Sequence, residues 1–203
     1  MKITRKFTEL VLHIARETEH DRKCGKTKLN KILFFSDFEA YRILGSSITG
    51  QDYLKFDKGP VCRGLPALNV RFEQTQDADW ELRNYYGLTL HKLKAHRAPD
   101  LSLFSEEELE IVRQVIEDLE PFDAGGVSHL SHLFPGWQVV ENGEEIPYNS
   151  VFVGSNRELS EEEVAWAEEA IQEYESGGNP KLTPEESHVR AGAPADRHMD
   201  GTV

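Results

Sequence analysis

The sequence predicts an α+β fold that is predominantly helical, with a central buried helix and a small antiparallel sheet. Three patterns favour this fold class. Residues 29–44 are apolar around most of a helix circumference, and two later segments begin with capping boxes. Two short segments also alternate apolar and polar residues around a turn, which is typical of a hairpin.

The first helix is predicted from apolar residues at the spacing of one helix face, and we expect it to end near His20. These residues are Phe7, Leu10, Val11 and Ile14. The polar residues 19–25 then indicate a loop. Thr27 follows this loop, where its hydroxyl group can cap a second helix.

The second helix, residues 27–44, is predicted to be the central one. Its apolar residues are Leu29, Ile32, Leu33, Phe34, Phe35, Phe38, Tyr41 and Leu44. Because they occupy most of the circumference, the helix is expected to be buried on nearly all sides. Gly45 is expected to end it in the left-handed conformation, which glycine adopts without steric cost.

The segment after this helix combines a short extended piece with a break. Tyr53 and Phe56 indicate the extended piece, and the adjacent Gly59 and Pro60 mark the break. Because proline is favoured at the first helical position, Pro60 is predicted to open a third helix running toward Phe72. Beyond it, residues 80–83 and 88–93 are predicted to pair as two antiparallel strands.

The next helix has the clearest start signal in the chain. Ser105 and Glu108 form a capping box, in which each side chain accepts a hydrogen bond from the other residue's backbone N–H. Its buried face is predicted to consist of Leu109, Val112, Ile116 and Leu119. One more short helix is expected within residues 125–137.

A second capping box, Ser160 with Glu163, predicts an amphipathic helix over residues 160–174. Its apolar stripe consists of Val164, Ala167, Ile171 and Tyr174. Residues 141–176 contain eleven acidic residues and one basic residue. The acidic face is either solvated or a docking surface for a basic partner, and complementing the helix dipole is enough to explain the first-turn glutamates.

The predicted domain organisation is one domain over residues 1–176 and a disordered tail over residues 177–203. The tail begins with Gly-Gly-Asn-Pro and contains few apolar residues. Such a segment cannot bury enough apolar surface to offset the entropy lost on ordering.

The charge of the 203-residue chain disfavours nucleic acid as a partner. It contains 23 Lys and Arg against 36 Asp and Glu, which gives a formal net charge of -13. An acidic surface repels the phosphate backbone. Residues 1–31 nevertheless hold nine basic residues against four acidic ones, so an autoregulatory DNA-binding role stays open.

The cysteine content and the apolar runs predict a soluble cytoplasmic protein. Cys24 and Cys62 are the two cysteines, and they form no CxxC pair. This usage is typical of reduced thiols in the cytosol. The basic N-terminal residues are not followed by the apolar stretch of a signal peptide, and no apolar run approaches the ~18 residues of a membrane span.

Common catalytic signatures are missing from the sequence, so we expect no enzymatic activity, no catalytic or metal-binding residues and no cofactor. Two constellations support the alternative of an uncharacterised hydrolase or metal enzyme. His129 and His132 can share one helix face, although spacing identifies no third zinc ligand. Cys62 follows the predicted helix start at Pro60, where its pKa would be lowered, and His132 could be its base.

Six segments, in order along the chain, resemble the Panacea domain family, which includes phage-associated GepA-like proteins and SocA-like antitoxins. They are KLNKILFFSD at residues 28–37, ITGQDY at 48–53, GPVCRGL at 59–65, FSEEEL at 104–109, SHLFPGW at 131–137 and EIPY at 145–148. The resemblance extends over residues 5–175. The chain departs from it at Cys62, where a GPVP-type motif would have proline.

The resemblance implies an antitoxin of a toxin–antitoxin pair, which neutralises a cognate toxin encoded nearby by direct protein binding. One similar type of member acts instead as a proteolytic adaptor that delivers its bound toxin to an AAA+ protease, and this is the alternative. The matched motifs give the predicted partner-binding residues, which are Tyr53, Asp57, Gly59, Pro60, Arg63 and Trp137.

Overall fold

The computed structural model of the chain describes residues 3–85 and 87–153. Its helices are α1 (Arg5–Glu17), α2 (Lys26–Leu44), α3 (Leu65–Thr75), α4 (Glu106–Leu119), α5 (Ala124–His132) and α6 (Pro135–Val139). Its strands are β1 (Tyr53–Leu54), β2 (Val61–Cys62), β3 (Ala78–Tyr85) and β4 (Leu88–Ala95). Short 3₁₀ helices span Leu101–Leu103 and Tyr148–Phe152. The predicted helix over residues 160–174 and the predicted tail lie outside the described residues.

The α+β, predominantly helical fold class is confirmed, with one addition to the sheet. The strands pair as two separate two-stranded antiparallel sheets, β1 with β2 and β3 with β4, whereas one small sheet was expected. The second sheet is the predicted hairpin and is longer than the sequence indicated, pairing Ala78 with Ala95 at its open end. No helix among the described residues is long and apolar enough to cross a bilayer.

Helix α2 is the centre of the fold, as predicted. It packs against α1, α4, α5, β2, β4 and the 3₁₀ helix at residues 148–152. Its aromatic residues Phe34 and Phe38 have ring centroids 4.4 Å apart, and both rings contact Tyr53 and Phe134 edge-on. Such aromatic pairs contribute about 0.5–1.5 kcal/mol each beyond the apolar area they bury.

The predicted start of α2 is wrong by one residue, and the predicted Thr27 cap is absent. The helix begins at Lys26, and Gly25 occupies the N-cap position without a side-chain hydrogen bond. Strand β4 lies so close to Gly25 that a Cβ there would be 2.7 Å from the Leu90 side chain. The close approach of β4 to Gly25 therefore determines where α2 begins. Gly45 ends the helix at φ 74°, as expected.

Helix α1 ends at Glu17, three residues before the predicted end near His20. The Lys92 ammonium group of β4 donates hydrogen bonds to three backbone carbonyl oxygens at residues 18–21. These carbonyls follow the C-terminus of α1, where a cation is favoured. A second link to α1 is the ion pair between Arg97 and the buried Glu9, at 2.7 Å.

The predicted third helix is wrong at its start. Pro60 does not open a helix, because residues 61–62 form strand β2, in which Cys62 pairs with Tyr53. The Asn30 side chain of α2 holds this segment extended by accepting from Cys62 N at 3.0 Å and donating to Pro60 O. Helix α3 instead begins at Leu65, with a proline in its first turn.

The Ser105–Glu108 capping box of α4 is confirmed in both directions. Its buried face is rotated from the predicted one and consists of Ile111, Val112, Val115 and Leu119. Two helices, α5 and α6, replace the single short helix expected within residues 125–137. They are separated at Phe134, whose extended backbone is the conformation favoured before a proline such as Pro135.

Asp37 is a fully buried carboxyl group on α2 that holds the segment leading into β1. It accepts hydrogen bonds from Thr49 N at 2.8 Å, from the Thr49 hydroxyl and from the Tyr53 hydroxyl at 2.7 Å. Burial raises the pKa of Asp37, and the donors from Thr49 and Tyr53 partly oppose that increase.

We expect Asp37→Ala to lower the free energy of unfolding by about 3 kcal/mol, because it leaves several buried donors without an acceptor. Urea denaturation followed by circular dichroism measures this change. Asp79→Ala is the control, since Asp79 is exposed on β3 and its loss should change stability by less than about 0.5 kcal/mol. Equal effects of the two substitutions would contradict the role assigned to Asp37.

Candidate partner-binding surface

The β1–β2 hairpin is extended at one edge by the segment before the last 3₁₀ helix. Ile146 N donates to Tyr53 O at 2.8 Å, and Lys55 N donates to Glu144 O at 2.9 Å. Gly143 N in turn donates to Lys55 O at 2.8 Å. Residues 55–60 therefore form a turn whose first half is fixed by backbone hydrogen bonds to residues 143–146.

The second half of this turn is fixed from below by α2 and α5. Lys31 is buried on α2, and its ammonium group donates to Pro60 O at 2.7 Å. Gly59 has φ 91°, and a Cβ at this position would lie 2.8 Å from Lys31 Nζ and closer still to the Ser131 hydroxyl oxygen. Glycine is therefore required at position 59 both by the backbone conformation and by the space available. Burial lowers the pKa of the neighbouring Lys31 to about 8.

Trp137 of α6 lies against the outer side of the turn. The Lys55 ammonium group is 4.5 Å from the centroid of its ring, and its indole N–H donates to Phe56 O at 3.3 Å. The imidazole ring of His132 stacks on the Trp137 ring, with ring centroids 4.2 Å apart. Burial, together with the charge on Lys31, lowers the pKa of His132, which favours the neutral ring.

These side chains form a continuous surface with aromatic and charged groups, which we name the turn surface. It consists of Lys55, Phe56, Asp57, His132 and Trp137. The Phe56 side chain is 41% exposed, although it is large and apolar. Sequence reasoning assigned Phe56 to an extended piece and missed its exposure. The flanking charged residues Lys55 and Asp57 were the available signal that this position lies in a surface turn.

The structure separates the six predicted partner-binding residues into two groups. Tyr53, Gly59 and Pro60 are buried and support the turn from inside. The others reach the surface: Asp57 and Arg63 are exposed and Trp137 is partly buried. Asp57 and Trp137 lie together on the turn surface, whereas Arg63 lies at the other end of the hairpin, paired with Asp52 at 3.2 Å. Their role in binding a partner stays a prediction.

The prediction that Cys62 lies at a helix N-terminus with a lowered pKa is wrong. Cys62 lies in β2 and is fully buried, and burial raises the pKa of its thiol to about 12. A thiol with such a pKa is a weak nucleophile near neutral pH. His129 and His132 occupy the last turn of α5. Among residues 3–85 and 87–153, no three His, Cys, Asp or Glu side chains form a group that could hold a metal ion.

The basic residues near the N-terminus contribute to a concavity of about 590 Å³ between the end of α1 and the β3–β4 hairpin. Its cations are Arg16, Arg22, Arg83, Lys92 and Lys94. Glu81 pairs with both Lys94 and Arg83, so it offsets one of the three positive charges that the hairpin places there. The DNA-binding role stays a prediction, and the acidic net charge of the whole chain opposes it.

A family model described as "Antitoxin SocA-like, Panacea domain" matches residues 29–138. The match covers more than half of the chain, and it includes most of α2, the β1–β2 hairpin, α5 and most of α6. All five residues of the turn surface therefore lie inside the matched region. No curated protein and no solved structure matches the chain significantly.

We expect Gly59→Ala to destabilise the protein more than Gly143→Ala, although both glycines have positive φ angles of 91° and 86°. A methyl group at Gly143 meets open space, so that substitution costs only about 1 kcal/mol of backbone strain. At Gly59 the methyl group also displaces Lys31 and Ser131, which adds about 1–3 kcal/mol. Urea denaturation of the two variants measures the difference, and equal losses would contradict the close packing beneath the turn.

We also predict that neither thiol of the native protein reacts readily with Ellman's reagent near pH 8, because Cys24 and Cys62 are buried and burial raises the pKa of each. In concentrated urea both thiols should react within minutes, which supplies the control. Rapid reaction of one thiol in the native protein would instead support the nucleophile alternative.

Proposed function

The chain belongs to the SocA-like antitoxin family that carries the Panacea domain, and on this premise we propose that it is the antitoxin of a toxin–antitoxin pair. We propose that it neutralises a cognate toxin, encoded nearby, by binding the toxin directly, and that it acts without catalysing a reaction. The observation that carries this proposal is the family match over residues 29–138.

The turn surface supports a binding role because its composition is that of an interface centre. Protein interfaces are enriched in aromatic residues at the centre and surrounded by a polar rim. Phe56 and Trp137 supply the aromatic centre, and Lys55 and Asp57 supply charged neighbours. Tryptophan is also among the residues that most often carry a large share of binding energy.

The rigidity of Trp137 adds to this argument. Its ring contacts the Lys55 ammonium group and stacks on His132, and its indole N–H donates a hydrogen bond to the turn backbone. A side chain that is already fixed in the free protein loses little conformational entropy when a partner binds. The turn surface is therefore organised in advance for contact with a partner.

The charge of the chain favours a basic partner surface. A formal net charge of -13 on 203 residues attracts basic proteins over distances of about a Debye length, roughly 10 Å at moderate salt. Such attraction raises the association rate more than the final affinity. We therefore expect binding of the toxin to weaken or slow down as salt is increased.

The test is co-expression of the tagged full chain with the protein encoded beside it, followed by co-purification and a growth assay. A neighbour that is toxic alone, harmless with this chain and recovered in a fixed ratio would support the antitoxin role. A neighbour that is harmless alone and does not co-purify contradicts the proposal. If the neighbour binds this chain but is degraded in cells that contain it, the result would favour the proteolytic adaptor.

We expect Trp137→Ala to weaken binding of the neighbour by about tenfold or more, because it removes the aromatic centre of the turn surface. Calorimetry on the purified proteins measures the dissociation constant. Leu82→Ala is the matched control, since Leu82 is 66% exposed on β3, away from the turn, and its truncation should leave binding unchanged.

Arg63→Ala tests the exposed residue at the far end of the hairpin. A small effect on the dissociation constant would confine the interface to the turn end, whereas a large effect would extend it along the hairpin. Circular dichroism of each variant establishes that the fold is retained. Unchanged binding by both Trp137→Ala and Arg63→Ala would remove these residues from the partner-binding surface.

A further inference from the structure

An apolar groove of about 720 Å³ lies between α2 and α4. The corner between α5 and α6 and the last 3₁₀ helix also line it. Apolar lining residues include Phe35, Ile43, Ile111, Val115, Leu130 and Leu133. Ile43 is 50% exposed and Leu133 is 58% exposed, so large apolar side chains face solvent at this site. Exposed apolar side chains grouped in a concave site are typical of interaction surfaces.

The groove has the length of a short helix. On α2 its lining runs from Phe35 to Ile43, and on α4 it runs from Glu110 to Leu119. At 1.5 Å per residue, these stretches extend for about 12–14 Å, which is between two and three helical turns. A groove of this length can receive the apolar stripe of a short amphipathic helix, with contacts at positions i, i+3 or i+4, and i+7.

The polar residues at the groove are predominantly acidic. Its charged lining residues are Glu39, Arg42, Glu110 and Asp118. Arg42 is paired with Glu39 on the same helix, so it adds no uncompensated positive charge. Helix α4, which forms one wall, contributes Glu110 and Asp118 to the lining; Glu110 is paired with Arg113, so Asp118 is the main source of negative charge on this wall. A partner helix with basic flanks would therefore complement this groove electrostatically.

The groove is continuous with the turn surface through the α5–α6 corner. Leu133 lines the groove, and its neighbour in sequence, His132, stacks on Trp137 of the turn surface. Phe134, the next residue, packs edge-on against Phe34 and Phe38 and fixes the corner on α2. A protein that covers the turn surface is thus brought next to the open groove.

We propose that this groove is a docking site for an amphipathic helix of the partner protein, about two turns long, with Lys or Arg flanking its apolar stripe. The identity of that partner as a toxin rests on the proposed function, whereas the chemistry of the helix rests on the groove. The acidic segment 141–176 of this chain lacks the basic flanks that this helix needs, because it carries eleven acidic residues and one basic residue.

The experiment uses the full chain and a fluorescent synthetic peptide of about four helical turns, with leucines at positions i, i+3, i+4 and i+7 and lysines elsewhere on its surface. Two further peptides are controls: one has the same composition in scrambled order, and one has glutamate in place of lysine. Fluorescence anisotropy measures binding. The lysine peptide should bind at least about tenfold more tightly than either control.

Variants of the groove locate the binding site. Leu133→Asp and Ile43→Asp place a charge on exposed apolar positions and should each weaken binding of the lysine peptide by about tenfold or more. Leu82→Asp introduces the same charge on the distant hairpin and should leave binding unchanged. Asp118→Lys reverses a charge at the edge of the groove and leaves its apolar lining unchanged. This variant should also weaken binding of the lysine peptide. Circular dichroism verifies that each variant is folded.

Several outcomes would overturn the proposal. Equal binding of the scrambled peptide shows attraction by net charge alone, and equal binding by Leu133→Asp and Leu82→Asp places the peptide elsewhere. A change in the sedimentation of the unliganded chain on Leu133→Asp would assign the groove to a second copy. These results are independent of the co-purification test, so the groove proposal and the antitoxin proposal can fail separately.

Discussion

The burial of polar side chains on the central helix is the constraint on which the rest of this structure depends. Helix α2 buries Asn30, Lys31 and Asp37 beside its aromatic core. A buried polar group without a hydrogen-bond partner costs about 1–3 kcal/mol, and an unpaired charge costs more. The chain after α2 supplies those partners: the backbone at residues 49 and 60–62, and the hydroxyls of Thr49 and Tyr53.

Because these hydrogen bonds come from one rigid helix, they also fix the position of the turn surface. Lys31 holds the carbonyl of Pro60, and Gly59 allows the turn to rest directly on Ser131 of α5. Helix α5 in turn places the His132 ring against Trp137, whose indole N–H donates to the turn at Phe56 O. The aromatic residues of the turn surface are therefore positioned by a buried polar network, so a substitution within that network would alter the turn surface without replacing any of its residues.

How much of this was accessible from sequence depended on whether the cause was local. The Ser105–Glu108 capping box and the glycine at the end of α2 are local signals, and both predictions are confirmed. The errors arose where tertiary contacts overrode them. Proline at position 60 favours a helix start locally, but Asn30 and Lys31, thirty residues earlier, hold that segment extended. The thiol of Cys62 was misjudged for the same reason, since its burial in β2 could not be read from its neighbours. Of the six predicted partner residues, periodicity could not separate those that support the turn from those that face solvent.

The α5–α6 corner gives the two exposed surfaces a physical connection that neither would have alone. The extended backbone at Phe134 separates α5 from α6, so that Leu133 lines the groove while Trp137 contacts the turn. Covering the turn surface alone would bury few large apolar side chains, whereas a specific interface typically buries about 800 Å² on each partner. A partner that spans the corner can reach that area with one helix in the groove and one loop or strand on the turn. The acidic wall of α4 would favour basic partners during approach, and the fixed aromatic groups at the turn would then discriminate among them by shape.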